Sequence, residues 1–257
     1  MKEREATKVR QRQTQILQLL TRQEQVSVSE LSSLLSISEV TVRSDLEQLG
    51  QAGLLRRIRG GAARPLCTEQ PLEETSKQHA AAKRRIGRAA AGLVQNGETI
   101  FLDVGSTTTE VARHLPPTLS GVTVVTNGLN IALELQRLPN LQVIVTGGTL
   151  RRLQHSLVSP YGLEVLSKIR ADRLFLGCNG VHLQHGVTSV NHEEAEIKAQ
   201  MVRCSREVVV VADASKLGFV SRAHIAPLTS VHTLIINQSS GQSLNGYAAQ
   251  IQQVLCV

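Results

Sequence analysis

The chain has 257 residues, 41% of them hydrophobic and 19% charged, a balance that suits two folded domains and excludes a disordered or fibrous polymer. Its net charge of +7 and pI near 9.6 are compatible with a polyanionic partner. With no Trp, three Phe and two Tyr there is no aromatic platform for stacking single strands, and no apolar run approaches the roughly 18 residues of a membrane-spanning helix.

Residues 1–9 are polar and are expected to fray, and 10–22 follow as a first helix with Ile16, Leu17, Leu19 and Leu20 inward. Ser27 and Glu30 have the spacing of a capping box, after which Leu31, Leu34 and Leu35 form the apolar stripe of a short helix. Ser36-Ile37-Ser38 is a tight connection, and Ser38 can cap the next helix. There Val42, Leu46 and Leu49 share one face, leaving Val40, Ser44 and Glu47 opposite, flanked by Thr41 and Arg43. Two short helices joined in this way make a helix-turn-helix. The outward set suits a DNA major groove: Val40 for a thymine methyl, Ser44 for a base edge, Thr41 and Arg43 for phosphates. Residues 54–59 are β-like and Gly60-Gly61 is a turn signal, completing a winged helix with a basic wing. The expected DNA contacts are Ser38, Glu39, Val40, Thr41, Arg43 and Ser44, with Arg56, Arg57, Arg59 and Gly60 on the wing. Further basic residues, including Arg10, Arg12, Arg22, Lys83, Arg84, Arg85 and Arg88, read as a basic surface.

Residues 64–78 hold Pro65, Pro71 and a cluster of Glu, Thr and Ser, and read as a linker between a domain at 1–63 and another at 79–257. Helix resumes over 79–95, with Ile86, Ala89, Ala90 and Leu93 on one face. Apolar strands are then expected at 99–104, 123–126, 142–146, 173–176, 208–212 and 233–237, with helices near 107–115, 129–138, 161–170 and 192–205. That alternation implies an α/β domain with a parallel sheet covered on both faces.

Each strand runs into small or polar residues: Asp103 and Gly105-Ser106-Thr107-Thr108, Thr126-Asn127-Gly128, Gly147-Gly148, Gly177-Cys178-Asn179, and Asp213-Ala214-Ser215-Lys216. Ligands of open α/β sheets bind at the carboxyl ends of strands, where glycine permits close approach and helix starts suit anions. Lys198 and Lys216 add positive charge, Asp103, Glu194 and Asp213 can accept sugar hydroxyls, and Arg151 and Arg152 lie just past a glycine pair. The set fits a small, polyhydroxylated, phosphorylated ligand. Histidines are scattered and the four cysteines have no C-x-x-C spacing, so neither a metal, a cofactor nor a disulfide is expected. The cysteine pattern and the charged N-terminus, unlike a signal peptide, point to a cytoplasmic protein.

The first 63 residues resemble the helix-turn-helix of the DeoR family of bacterial transcriptional regulators, through Val26-Ser27-Val28, Glu30-Leu31, the run from Ser38 to Leu46, and Arg59-Gly60-Gly61-Ala62. The remainder resembles that family's sensor domain, through Leu102-Asp103-Val104-Gly105-Ser106-Thr107-Thr108, Val124-Val125-Thr126-Asn127-Gly128, Thr146-Gly147-Gly148-Thr149-Leu150-Arg151 and Asp213-Ala214-Ser215-Lys216. The look is nearest the branch regulating amino-sugar, including N-acetylgalactosamine, and hexitol catabolism. The resemblance implies an N-terminal winged helix-turn-helix plus a C-terminal α/β sensor domain with a ribose-5-phosphate isomerase-like fold. It implies a homo-oligomeric repressor of a carbohydrate-catabolic operon, bound to double-stranded operator DNA and released by a phosphorylated sugar. By position, the effector pocket carries over to Asp103, Gly105, Ser106, Thr107, Thr108, Thr126, Asn127, Gly147, Gly148, Glu194, Lys198, Asp213 and Lys216; Arg151 joins the candidates by its place after the glycine pair. The alternatives are a ligand-dependent activator, a sugar-phosphate isomerase with Asp103, Glu194 and Lys198 in proton transfer, and a module whose helices contact only protein.

Overall fold

The capping box forms as the sequence predicts: the Glu30 amide donates to Ser27 Oγ and the Ser27 amide to the Glu30 carboxylate. The computed structural model describes residues 2–23, 25–51, 54–63, 69–158, 160–237 and 243–257, and the chain divides into units Met1–Cys67 and Thr68–Val257.

The first unit runs α1 (Lys2–Arg22), β1 (Gln25–Ser27), α2 (Val28–Leu35), α3 (Glu39–Gln51), β2 (Arg56–Ile58) and β3 (Gly61–Ala63). Helix α1 begins at Lys2, eight residues before the expected start, so the polar opening is helical and not frayed. Ile16, Leu20, Val26, Leu31, Val42, Leu46, Leu49 and Leu55 make its core. Leu34 does not join them: it is 63% exposed, because an eight-residue helix with Val28 and Leu31 inward has turned Leu34 off the buried stripe. The three strands form an antiparallel sheet in the order β1-β3-β2. Gly61 is required there, since a Cβ would lie 2.1 Å from the Val26 carbonyl oxygen. Arg12, read as basic surface, instead pairs from α1 with the buried Asp45 of α3.

The second unit opens with α4 (Leu72–Lys77) and α5 (Ala80–Ala91), then β4 (Thr99–Leu102), α6 (Ser106–His114), β5 (Thr123–Thr126), α7 (Leu129–Leu135), β6 (Gln142–Val145), β7 (Thr149–Arg151), β8 (Ser156–Val158), α8 (Tyr161–Ser167), β9 (Ala171–Leu176), β10 (Gly180–His182), β11 (Gly186–Ser189), α9 (His192–Arg203), β12 (Ser205–Ala212), β13 (Ala223–Ala226), β14 (Thr233–Ile236), α10 (Asn245–Ala248) and β15 (Gln253–Cys256). Among the described residues the main sheet has seven parallel strands in the order β15-β14-β12-β9-β4-β5-β6. Alternate residues of its strands feed two cores. Ile100, Leu102, Val124, Val209 and Val211 pack with Ile86, Val111 and Ile131 of α5, α6 and α7, while Phe101, Val125, Val208 and Val210 pack with Leu166, Ile197 and Met201 of α8 and α9.

Six of the seven strands match the expected ones, and β15 is an addition at the far edge. The expected linker is corrected in its second half: Leu72–Lys77 is helical, and the Leu72 amide donates to the Leu153 carbonyl at 2.9 Å. Residues 64–68 of that linker lie outside the described residues. The sheet order reverses between β4 and β9, because β5 and β6 add on one side of β4 and β9, β12, β14 and β15 on the other. At the opposite, amino end, Arg173 bridges Glu98 and Glu207 and ties β4, β9 and β12.

Helices α5 and α6 meet at Gly87, where a Cβ would come within 2.6 Å of Glu110. Gly87→Ala should therefore cost about 1–3 kcal/mol by forcing the helices apart. Gly92→Ala, whose nearest contact would be an ordinary 3.5 Å, should leave the urea midpoint unchanged or slightly raised.

Candidate functional site

On α3 the apolar stripe of Val42, Leu46 and Leu49 is buried and the opposite face is open, with Val40 73% exposed and Ser44 exposed. Ser38 caps the helix: the Thr41 amide donates to its hydroxyl at 3.2 Å, and the two hydroxyls share a hydrogen bond at 2.9 Å. Arg43 pairs with Glu39 one turn earlier at 2.6 Å, both half exposed. An exposed pair of this kind contributes little and is readily exchanged for another anion. On the wing Arg56, Arg59 and Gly60 are exposed, and Gly60 (φ +79°) makes the turn. Arg57, exposed as well, donates to the Gly61 carbonyl at 3.2 Å and faces Glu47 of α3 at 3.9 Å, contacts that brace the wing.

The second cluster lies where the sheet order reverses, the place at which open α/β sheets leave a crevice. Asp103, just past β4, is fully buried. Its Oδ2 accepts from the Gly177 amide past β9 at 3.1 Å and from Lys198 Nζ of α9. Lys198 also donates to the Gly177 carbonyl at 3.3 Å. Burial pushes the Asp103 carboxyl up to about 6, against the opposing pull of Lys198. Its Oδ1 is buried with no hydrogen-bond partner among the described residues, an acceptor suited to a ligand hydroxyl.

One turn before Lys198, Glu194 accepts from the Ser156 hydroxyl of β8 and from Arg151 of β7. On the other flank Asp213 caps a single 3-10 turn, Ala214–Lys216, by accepting from the Ser215 amide at 3.1 Å. Burial raises the Asp213 carboxyl, but Lys216, Ser215, Lys83 and His79 together outweigh it and hold it below the usual range. Cys178 lies within electrostatic reach of both flanks. Burial pushes its thiol up to about 12, and it feels Lys216, Lys198, Asp213 and Asp103. At the start of α6, Gly105 (φ +148°) leads into Ser106, Thr107 and Thr108, whose amides have no acceptor within the helix.

Four of the expected ligand residues also have structural duties. Thr126 Oγ1 accepts from the Gly128 amide at 3.0 Å. Asn127 Oδ1 accepts from the Val104 amide at 3.0 Å, and its Nδ2 donates to the Leu157 carbonyl at 3.4 Å, so both ends of its amide are engaged. Gly147 and Gly148, at φ +72° and +121°, turn the chain into the β7–β8 hairpin, and a Cβ on Gly148 would sit 2.1 Å from the Val158 carbonyl oxygen.

Lys83, expected on a basic surface, is instead buried beside the Asp213 flank. It is 4% exposed, donates to the Thr75 carbonyl at 2.5 Å, and is close enough to Asp213, Lys216 and Glu110 to feel their charges. Its sequence signal is its spacing with Ile86 and Ala90, which sets it on the inward stripe of α5. Among the described residues no cluster of His, Cys, Asp and Glu is placed to hold a metal ion, and no helix is long and apolar enough to cross a membrane.

Burial lowers Lys83 to about 8. An unfolded lysine keeps its proton to about 10.4, so between these values the unfolded state binds more protons and stability rises with pH. Thermal melts should show that rise between about pH 8 and 10, and Lys83→Met should reduce it.

The family described as the DeoR C terminal sensor domain matches residues 78–238, and that described as the DeoR-like helix-turn-helix domain matches residues 12–66. The chain is 33% identical to a "Putative aga operon transcriptional repressor" of Escherichia coli O157:H7, across 99% of this chain and 96% of that protein. It is 37% identical to the "HTH-type transcriptional regulator GlpR" of Haloferax volcanii over 88% of each chain. It is 32% identical to the "Glycerol-3-phosphate regulon repressor" of Escherichia coli K12, over 87% of this chain and 90% of that one. Among solved structures, ribose 5-phosphate isomerase A from Methanocaldococcus jannaschii overlaps 55% of each chain with a TM-score of 0.41 and 18% identity.

Proposed function

Because the chain belongs to the DeoR family of transcriptional regulators, we propose that it represses a carbohydrate-catabolic operon and leaves its operator when a phosphorylated sugar binds the second unit. It is a regulator and not an enzyme. The observation that carries the reading is one chain holding both an exposed recognition-helix face and a buried cluster of charged side chains at the carboxyl ends of a parallel sheet. Val40 and Ser44 read base edges, while Arg43 leaves Glu39 for a phosphate and Arg56 and Arg59 follow the backbone. Two such helices in successive major grooves require a homo-oligomer, working in the cytoplasm.

In the crevice, Lys216, Lys83 and the open amides of α6 supply the positive field for a phosphate, and Asp103 Oδ1 accepts a sugar hydroxyl. Ligand lowers DNA affinity by a coupling free energy, and DNA lowers ligand affinity by the same amount.

Fluorescence anisotropy on DNA from the chain's own upstream region tests this, with hexose, hexosamine and hexitol phosphates and glycerol 3-phosphate added singly. Arg43→Ala should weaken binding to every DNA sequence and reduce the salt slope by about one. Val40→Ala and Ser44→Ala should cost about 1–3 kcal/mol on the preferred site only. Lys216→Met should keep DNA binding and lose release by phosphate esters. Binding strengthened by an ester would make the chain a ligand-dependent activator or a co-repressed regulator, and no sequence preference in any condition would overturn the DNA assignment.

A further inference from the structure

The β7–β8 hairpin has two engaged sides. Toward the crevice, Arg151 and the Ser156 hydroxyl both reach Glu194. On its other side the hairpin carries the segment that arrives from the first unit. Arg151 Nη1 donates to Glu69 Oε1 at 3.1 Å and Nη2 to Glu69 Oε2, a two-pronged fork. Gln154 donates to the Gln70 carbonyl, the Leu72 amide to the Leu153 carbonyl at 2.9 Å, and His155 lies 3.2 Å from Glu73. Every residue from Arg151 to His155 except Arg152 thus touches residues 69–73.

Arg151 stands between two carboxylates, and all three side chains are largely buried, at 16%, 15% and 7% exposure for Arg151, Glu69 and Glu194. One guanidinium facing two carboxylates leaves an excess negative charge in a shielded place. A fork of this kind accepts a phosphate as readily as a carboxylate. A dianionic ligand entering beside Glu194 adds negative charge to a corner that already has an excess, so the least tightly enclosed carboxylate is the one displaced. Glu194 is fixed by α9 and Ser156, whereas among the described residues the Glu69 carboxylate is held through Arg151 alone.

We infer that Glu69 is an internal stand-in for the effector's anionic group: it occupies Arg151 in the ligand-free protein, and a phosphorylated ligand takes Arg151 from it. The exchange unfastens residues 69–73 from the hairpin and so alters the tether of the DNA-binding unit. It rests on the sugar-phosphate reading above and gives that reading its regulatory residue.

The test uses the full chain, with glycerol 3-phosphate, a hexose 6-phosphate, an N-acetylhexosamine 6-phosphate and inorganic phosphate as probes. Calorimetry should find the best probe binding Glu69→Gln about tenfold more tightly than the wild type, since the internal competitor is weakened. Hydrogen exchange of the peptide covering 69–77, which includes the bonded Leu72 amide, should quicken in the wild type when that probe is added. In Glu69→Gln it should be quick without it. Glu74→Gln, an exposed change on α4 away from Arg151, should match the wild type in both measurements. Equal affinity in wild type and Glu69→Gln, with exchange over 69–77 unmoved by the bound probe, would overturn the exchange while leaving the sugar-phosphate reading intact. If no probe binds either protein, the sugar-phosphate reading itself falls, and this inference with it.

Discussion

The second unit depends on one buried carboxylate. Asp103 sits where the sheet changes direction and joins three elements that share no sequence neighbourhood: the end of β4, the amide after β9, and Lys198 on α9. In an apolar interior an unpaired charge there would cost several kcal/mol. Lys198 and Gly177 offset that cost, and in doing so they tie α9 and the turn after β9 to the end of β4. The same helix then presents Glu194 one turn away, to Ser156 and Arg151. A charge pair that would be a poor stabiliser beside a hydrophobic substitute is thus an ordering device, since it sets where the remaining polar groups point.

The fold was legible where patterns are long. Strands of four or more residues with β-branched runs, such as Thr123–Thr126 and Ser205–Ala212, read clearly because burial on both faces removes the alternation and leaves a continuous apolar stretch. The recognition helix read clearly because Val42, Leu46 and Leu49 complete one stripe. Short elements did not. Leu72–Lys77 is under two turns, with one buried side chain, so its periodicity is invisible and its helical state follows from docking on the hairpin. The three-residue strands β7, β8 and β10 have no period to detect and form because tight turns bring them together.

The grouping of the candidate residues was legible in the sequence, and their hydrogen-bond partners were not, for a physical reason. Sequence places residues at strand ends but does not tell which polar groups the backbone itself engages. Asn127 and Thr126 sit at a strand end and satisfy neighbouring amides, whereas Lys83, far upstream and embedded among arginines, is turned inward by the α5 stripe. Glu69 could not be found at all, because its partner Arg151 lies 82 residues away.

The pairing of β4 with β9 has a consequence for how the chain is made. Ile100 must wait for Arg173, 73 residues downstream, before the centre of the sheet can close. At a synthesis rate of about 10 residues per second the interval lasts several seconds, during which β4 exposes the edge that β9 will cover. The first unit has its own core and local strand pairs, so it is complete long before that closure. Each newborn chain therefore passes through a period in which its DNA-reading part is folded while its sensor is not. Until that closure the cluster that joins Asp103, Gly177 and Lys198 is unassembled.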